Sequence, residues 1–229
     1  MIPNPFRRRL PAGFALFWLV ASLFLASLTA AAVAADPCNR AHACRDTIDE
    51  ALAHEADADR LLDAAAAGDV PERVTHNDTK INNVLMDDTT GEALCVVDLD
   101  TTMPGLAPVD FGDMVRTATN AGAEDEPDLS KVASRPEMFE AVARGYLATA
   151  GPFLQPSEIA WLPFAGRLLA YEQGLRFLGD HLLGDPYYRI HHEGHNLQRA
   201  RAQFALMRSI GAQQDHYARI VERLLSAGA

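Results

Sequence analysis

The sequence predicts a mainly α-helical fold with one small β-hairpin, and three observations predict it. Apolar residues recur at helical spacing through most of residues 136–226. Two short apolar runs, Val84-Leu85-Met86 and Ala93-Leu94-Cys95-Val96-Val97, flank the turn residues Asp87-Asp88-Thr89-Thr90-Gly91, as a hairpin requires. No internal repeat or low-complexity linker divides the helical part. A chain of 229 residues is long enough for one domain with a sizeable core.

Composition narrows the class. Apolar content of 48% and charged content of 22% are ordinary for a globular protein. The net charge of -11 argues against a nucleic-acid or anionic-membrane surface, since both need basic patches. It leaves nucleotides open, because local groups and metal ions hold those. Three cysteines are too few for a disulfide scaffold. Cys95, inside an apolar run, is expected in the core. Cys38 and Cys44 are close enough to pair if the chain is exported, and two plain thiols are the alternative.

Residues 1–35 have the three parts of a secretory leader: Arg7-Arg8-Arg9, an apolar run over 14–28, and small residues with an A-x-A ending near Ala34. A short membrane anchor using residues 12–35 is a second reading. An artefact of gene start or gene truncation is a third. The leader points to export or anchoring. The chemistry described below uses ATP, a cytoplasmic compound, so the compartment stays open.

The remainder divides into a helical linker, 36–70, and a principal unit, 71–229. Residues 46–67 read as one helix with Ile48, Leu52 and Leu62 on its apolar stripe, ended by Gly68. After the hairpin, Asp110 is expected to cap a short helix carrying Phe111, Met114 and Val115. Residues 120–134 read as a polar surface loop. Pro136 opens a helix that Gly151 ends. Ser157 is expected to cap the next, with Trp161, Phe164, Leu168, Leu169, Leu175 and Leu178 inward, and Pro163 either kinks it or marks its first turn. Asn196 is expected to cap a helix burying Leu197, Phe204, Met207 and Ile210. A last helix buries Tyr217, Ile220, Val221 and Leu224.

The stretch His76–Thr101 carries the chemistry. Phosphoryl transfer needs a carboxylate to receive the proton of the attacking hydroxyl, hard oxygen ligands for Mg²⁺, and a cation near the transferred group. Asp78 is the candidate base. Asn83, five residues on, and Asp98, returned by the hairpin, are the candidate metal ligands. Lys80 is placed to reach a phosphate. His76 is expected to brace the loop from beneath. The pattern H-x-D-x-x-x-x-N followed by a strand-borne Asp is that of a kinase catalytic loop. Asp100 is open among supporting Asp98, meeting a second metal and facing solvent.

Here the sequence resembles a known family. H-N-D-T-K-I-N-N-V and V-V-D-L-D-T, with F-G-D-M-V-R-T-A and G-H-N-L further on, look like the catalytic segments of the aminoglycoside phosphotransferase and choline kinase family. Within it they most resemble the N-acetylhexosamine 1-kinases. The resemblance implies a protein-kinase-like α+β fold of which residues 71–229 are the C-terminal lobe. It also implies Mg²⁺ and ATP as cofactors and a small-molecule sugar as substrate. Arg176 and Tyr187 are its substrate-side candidates, set against an ordinary surface arginine and a packed tyrosine.

Two look-alikes are set aside. Asp110-Phe111-Gly112 spells the magnesium motif of protein kinases, but Asp98 already occupies the metal position after the catalytic loop. His191, His192 and His195 suggest zinc, yet Asn196 stands where H-E-x-x-H needs its second histidine. No Gly-rich phosphate loop or V-A-I-K lysine precedes His76. The expectation is therefore a missing nucleotide-binding lobe, and either a weakly active or inactive phosphotransferase, a half completed by a partner supplying that lobe, or a non-catalytic kinase-like binding module.

Overall fold

The computed structural model describes residues 31–228. The leader reading, including the proposed membrane contact of 12–35, falls almost wholly outside them. Among the described residues no helix is long and apolar enough to cross a membrane.

Helices α1 (Arg45–Ala53), α2 (Glu55–Ala58) and α3 (Arg60–Ala67) come first. Strands β1 (Arg73–Thr75), β2 (Val84–Met86), β3 (Ala93–Val96) and β4 (Met103–Gly105) follow. Then come α4 (Ala107–Thr119), α5 (Pro136–Ala150), α6 (Pro156–Leu182), α7 (His195–Ala212) and α8 (Gln214–Ser226). The mainly helical class with small antiparallel sheets agrees with the sequence.

The strands form two nested ribbons. β1 pairs antiparallel with β4, and β2 pairs antiparallel with β3, with Val84 opposite Val96 and Leu85 opposite Cys95. The inner ribbon thus springs from the open end of the outer one. The two connecting segments, 76–83 and 97–102, are forced side by side. This nesting positions the site.

Helix α6 is the spine. Leu168, Tyr171, Leu175, Phe177 and Leu178 are buried on several of its faces, as expected of a helix enclosed by others. It packs chiefly on α4 and α7. Two glycines allow the close approach. A Cβ on Gly112 of α4 would lie 2.6 Å from the Ala165 carbonyl oxygen of α6. A Cβ on Gly174 of α6 would lie 2.5 Å from the Phe204 ring of α7. At the far side, Phe139 stacks on Tyr217 with ring centroids 3.9 Å apart. The Tyr217 hydroxyl joins Ser134 and Thr119 in a buried hydroxyl chain, so its polar end is satisfied.

Several expectations change. The single helix over 46–67 is broken at His54 and Asp59, because Arg167 of α6 ties His54 and Asp57 onto the spine. Leu52 is exposed rather than part of the inner stripe, while Ile48, Ala51, Leu61 and Leu62 are buried. Gly68 does end α3, in the left-handed conformation. Helix α6 begins one residue before Ser157, with Gln155 at the cap position. Pro156 opens it, and the Glu158 carboxylate accepts the Gln155 N–H at 2.7 Å. Pro163 therefore lies inside the helix, not in its first turn. Arg73 pins that buried Glu158 carboxylate with two bonds of 2.6 Å. Helix α7 is preceded by Gly194 in the left-handed conformation, and Asn196 lies within its first turn.

Within the 120–134 loop Val132 and Ser134 are buried, and an Asn120–Ser134 bridge closes its base. Trp161 and Leu197 are only partly buried, and the other predicted inner-face residues of α6, α7 and α8 are buried. The three cysteines are free thiols, with Cys44 buried and Cys38 exposed. Cys95 is exposed, not core. Its whole ribbon stands out from the helices, so Leu85, Met86, Leu94 and Val96 are exposed with it.

At the C-terminal end of α6, burial and then the adjacent Arg40 guanidinium push the His181 imidazole below its usual range. The unfolded chain then binds a proton that the folded one refuses. Stability is fully present above about pH 6.5, the unfolded value, and falls as pH drops from there towards the folded value. Urea titrations at pH 7.5 and 5.5 are expected to show lower stability at pH 5.5. The difference is expected to shrink in His181→Gln.

Candidate active site

The site forms where the two connecting segments meet. The His76 ring Nε2 lies 3.0 Å from the Val97 carbonyl. The Val97 N–H donates to the Asn83 carbonyl at 2.9 Å. The Thr101 hydroxyl donates to the His76 carbonyl at 2.7 Å, and the Asn77 side-chain amide donates to the Thr101 carbonyl at 3.0 Å. Asn83 on one segment and Asp98, directly following Val97, on the other are thereby brought close. His76 braces the loop, as the sequence suggested, by reaching across to the second segment.

Asp110 fixes the loop from below. Its carboxylate accepts the N–H of His76 at 2.8 Å and of Asn77 at 2.7 Å. Its own carbonyl accepts the Thr79 hydroxyl at 2.5 Å. Burial raises its pKa, and the two amide donors pull against that rise. Asp110 is thus no helix cap. Leu106 occupies the cap position, Pro108 stands in the first turn, and Asp110 lies within α4 with its side chain turned outward to the loop. Nor is Gly112 part of a magnesium loop, since it is the contact glycine against α6.

The clamp holds Asn77 at φ 65°, a left-handed conformation that costs a non-glycine residue energy. Asp78 follows directly. Its Oδ2 receives both the Lys80 ammonium at 2.6 Å and the Asn83 side-chain amide at 2.9 Å. Its Oδ1 accepts no hydrogen bond from the described residues. Lys80 also lies 3.9 Å from Asp98. Burial disfavours the Lys80 charge, but the Asp78 bond and charge, with Asp98 and Asp113 adding, outweigh it and raise its pKa. Lys80 is therefore a permanent cation between two carboxylates. Asp98 is half exposed and also left-handed, at φ 63°.

The metal question turns on donor number. Among the described residues, no three His, Cys, Asp or Glu side chains are gathered for a metal. The three histidines accordingly form no zinc cluster, and His195 is buried with Nε2 2.9 Å from Asp125. Magnesium at phosphates asks for less, since one or two protein oxygens with phosphate and water complete its shell. Asn83 donates its amide N–H₂ to Asp78, so its Oδ1 is the atom that could meet a metal. With the half-exposed Asp98 carboxylate, the donor set fits that ion. Asp100 is exposed, and no hydrogen bond links it to Asp98.

A cavity of about 820 Å³ opens beside the loop. Asp78, Lys80, Arg176, Tyr187 and Tyr188 all line it. His76, Asn83 and Asp98 are not in its lining. Arg176 is half-buried on α6, and Tyr187 is exposed, so the expected packed tyrosine is not found. Sequence reasoning missed Asp113, Arg116 and Glu172, which also line it. Arg116 is buried, with Asp113 at 2.9 Å and Glu124 at 3.1 Å. The signal was present: three charges on apolar helix faces need partners.

With this geometry established, the family comparison is informative. The family model of the phosphotransferase enzyme family matches residues 11–156, well over half of the chain. The chain belongs to that family. The match contains the whole loop, both ribbons and the Asp110 clamp. It also runs through most of the leader-like segment. It ends at the first residue of α6, so Arg176 and Tyr187 lie beyond it.

Replacing Asp110 by Asn puts an amide N–H₂ against a backbone N–H. An unmet buried donor costs about 1–3 kcal/mol. Amide exchange at His76 and Asn77 is expected to rise at least about tenfold, with the α6–α7 core unchanged. Equal exchange in both proteins would show that the clamp does not hold the loop.

Proposed function

We propose that the chain transfers the γ-phosphoryl group of ATP to a hydroxyl of a small sugar, with N-acetylhexosamines the favoured acceptors. The observation that carries this is the state of Asp78. Both its cation and its amide donor sit on Oδ2, so Oδ1 remains for an incoming hydroxyl, and the residue lines a cavity of sugar size. Family membership supports phosphoryl transfer. The finer choice of acceptor rests on the resemblance to N-acetylhexosamine 1-kinases and on Arg176 and Tyr187 in the cavity lining.

The roles follow from chemistry. Asp78 Oδ1 receives the acceptor hydroxyl proton as the oxygen attacks phosphorus. Lys80, bonded to Asp78 Oδ2, sets positive charge close to where phosphate charge develops. Asn83 and Asp98 would hold magnesium, which neutralises phosphate charge when bound. Arg176 and Tyr187 supply a planar cation and an aromatic face for the sugar. His76 acts at one remove, by keeping the two segments in register.

The test is phosphate transfer from Mg-ATP to N-acetylglucosamine and N-acetylgalactosamine, followed by ³¹P NMR. Wild-type chain is expected to yield the sugar 1-phosphate only slowly, since no Gly-rich phosphate loop or V-A-I-K lysine precedes His76. Asp78→Asn is expected to lower the rate at least about 10²-fold, the usual scale of lost acid–base catalysis. Turnover retained in Asp78→Asn would remove Asp78 from the reaction.

A further inference from the structure

Two aspartates, the partly buried Asp110 and the buried Asp180, anchor stretches of the cavity lining. Asp110 holds the catalytic loop by accepting two consecutive backbone N–H groups. Asp180 repeats this for another stretch of the lining. Its Oδ1 accepts the Tyr187 N–H at 2.9 Å and its Oδ2 accepts the Tyr188 N–H at 2.9 Å. A third donor, the Asn196 side-chain amide, reaches Oδ2 at 2.9 Å.

The placement of Asp180 needs this explanation. It is buried, and it sits in the last turn of α6, where the helix dipole disfavours negative charge. Burial and dipole both count against a carboxylate there. Three N–H donors offset both, and two of them belong to the segment that lines the cavity. Tyr187 is 83% exposed, with its ring against that of Tyr188, centroids 4.8 Å apart. Tyr188 touches Phe177 at 4.8 Å, and its hydroxyl accepts from Gln173 at 3.4 Å.

The anchor extends to the start of the described chain. The Asn196 amide also donates to Asp185 at 2.9 Å, and Asp185 accepts Arg40 at 2.6 Å. Arg40 in turn donates to the His181 carbonyl at 2.7 Å. Residues 36–44 are thereby fastened to the turn that precedes Tyr187.

We infer that Asp180 is a positioning residue for the acceptor: through Tyr187 and Tyr188 it sets the shape of the cavity that Asp78 also lines, and so sets acceptor affinity. This rests on the acceptor reading above. Asp180→Asn keeps the size of the side chain but turns an N–H₂ against the Tyr188 N–H and the Asn196 amide, or against the Tyr187 N–H if flipped. Tyr187→Ala removes an exposed ring and leaves the fold unloaded.

The test pairs two measurements on the full chain: amide exchange by NMR, and titration with N-acetylglucosamine by calorimetry. Asp180→Asn is expected to raise exchange at Tyr187 and Tyr188 at least about tenfold, with exchange at His76 and Asn77 unchanged. N-acetylglucosamine is expected to bind at least about tenfold more weakly to Asp180→Asn. Tyr187→Ala is expected to weaken binding in the same direction with unchanged thermal unfolding. Wild-type affinity retained in both variants would overturn the inference and leave the acceptor reading intact. A wild-type chain that does not bind the sugar would overturn the acceptor reading, and this inference with it.

Discussion

The whole site depends on one partly buried carboxylate, that of Asp110, meeting two backbone amides. Asp110 lies on α4, and α4 is pressed against the spine helix through Gly112. The loop that Asp110 grips has no regular structure except one 3₁₀ turn at Ile81–Asn83. Backbone N–H groups in such a loop must find partners or water. By supplying an acceptor to His76 and Asn77 together, Asp110 fixes both their positions and the left-handed turn that aims Asp78. The helical core thereby transmits its rigidity to the Asp78 loop through two hydrogen bonds.

The nested ribbons provide the second half of the constraint. An antiparallel ribbon brings its ends together, and one ribbon inside another brings two loops together. The Asp78–Asn83 loop and the Asp98 turn are therefore neighbours by topology, then locked by His76, Val97, Thr101 and Asn77. Lys80 sits at the junction and contacts carboxylates from both segments. Its charge balances theirs, which lets two acidic residues stand near each other beside a cavity that already holds Asp113 and Glu172.

Much of this was legible in the sequence, and the reason differs by element. The helices of the C-terminal part showed because their apolar spacing is dense. The hairpin showed because its turn residues are explicit, and the loop residues because phosphoryl transfer needs few groups at fixed spacing. What was hidden depends on long-range partners. Asp110 reads locally as a cap, and only the fold places His76 beneath it. The break in 46–67 comes from Arg167, more than a hundred residues away. Cys95 lies in an apolar run that looks like core, but no described element packs over that ribbon. Helix starts slipped by one or two residues at Ser157 and Asn196, where Pro156 and Gly194 set the boundary instead.

The central claim is that Asn83 and Asp98, not Asp110, present the metal-binding oxygens beside Asp78. Crystals soaked with Mn²⁺ and ATP and measured at the manganese edge address it directly. The account predicts an anomalous peak about 2.1–2.3 Å from Asn83 Oδ1 and from an Asp98 carboxylate oxygen, as hard-cation coordination requires. A peak on the Asp110 carboxylate, or one lying away from both segments, would contradict it.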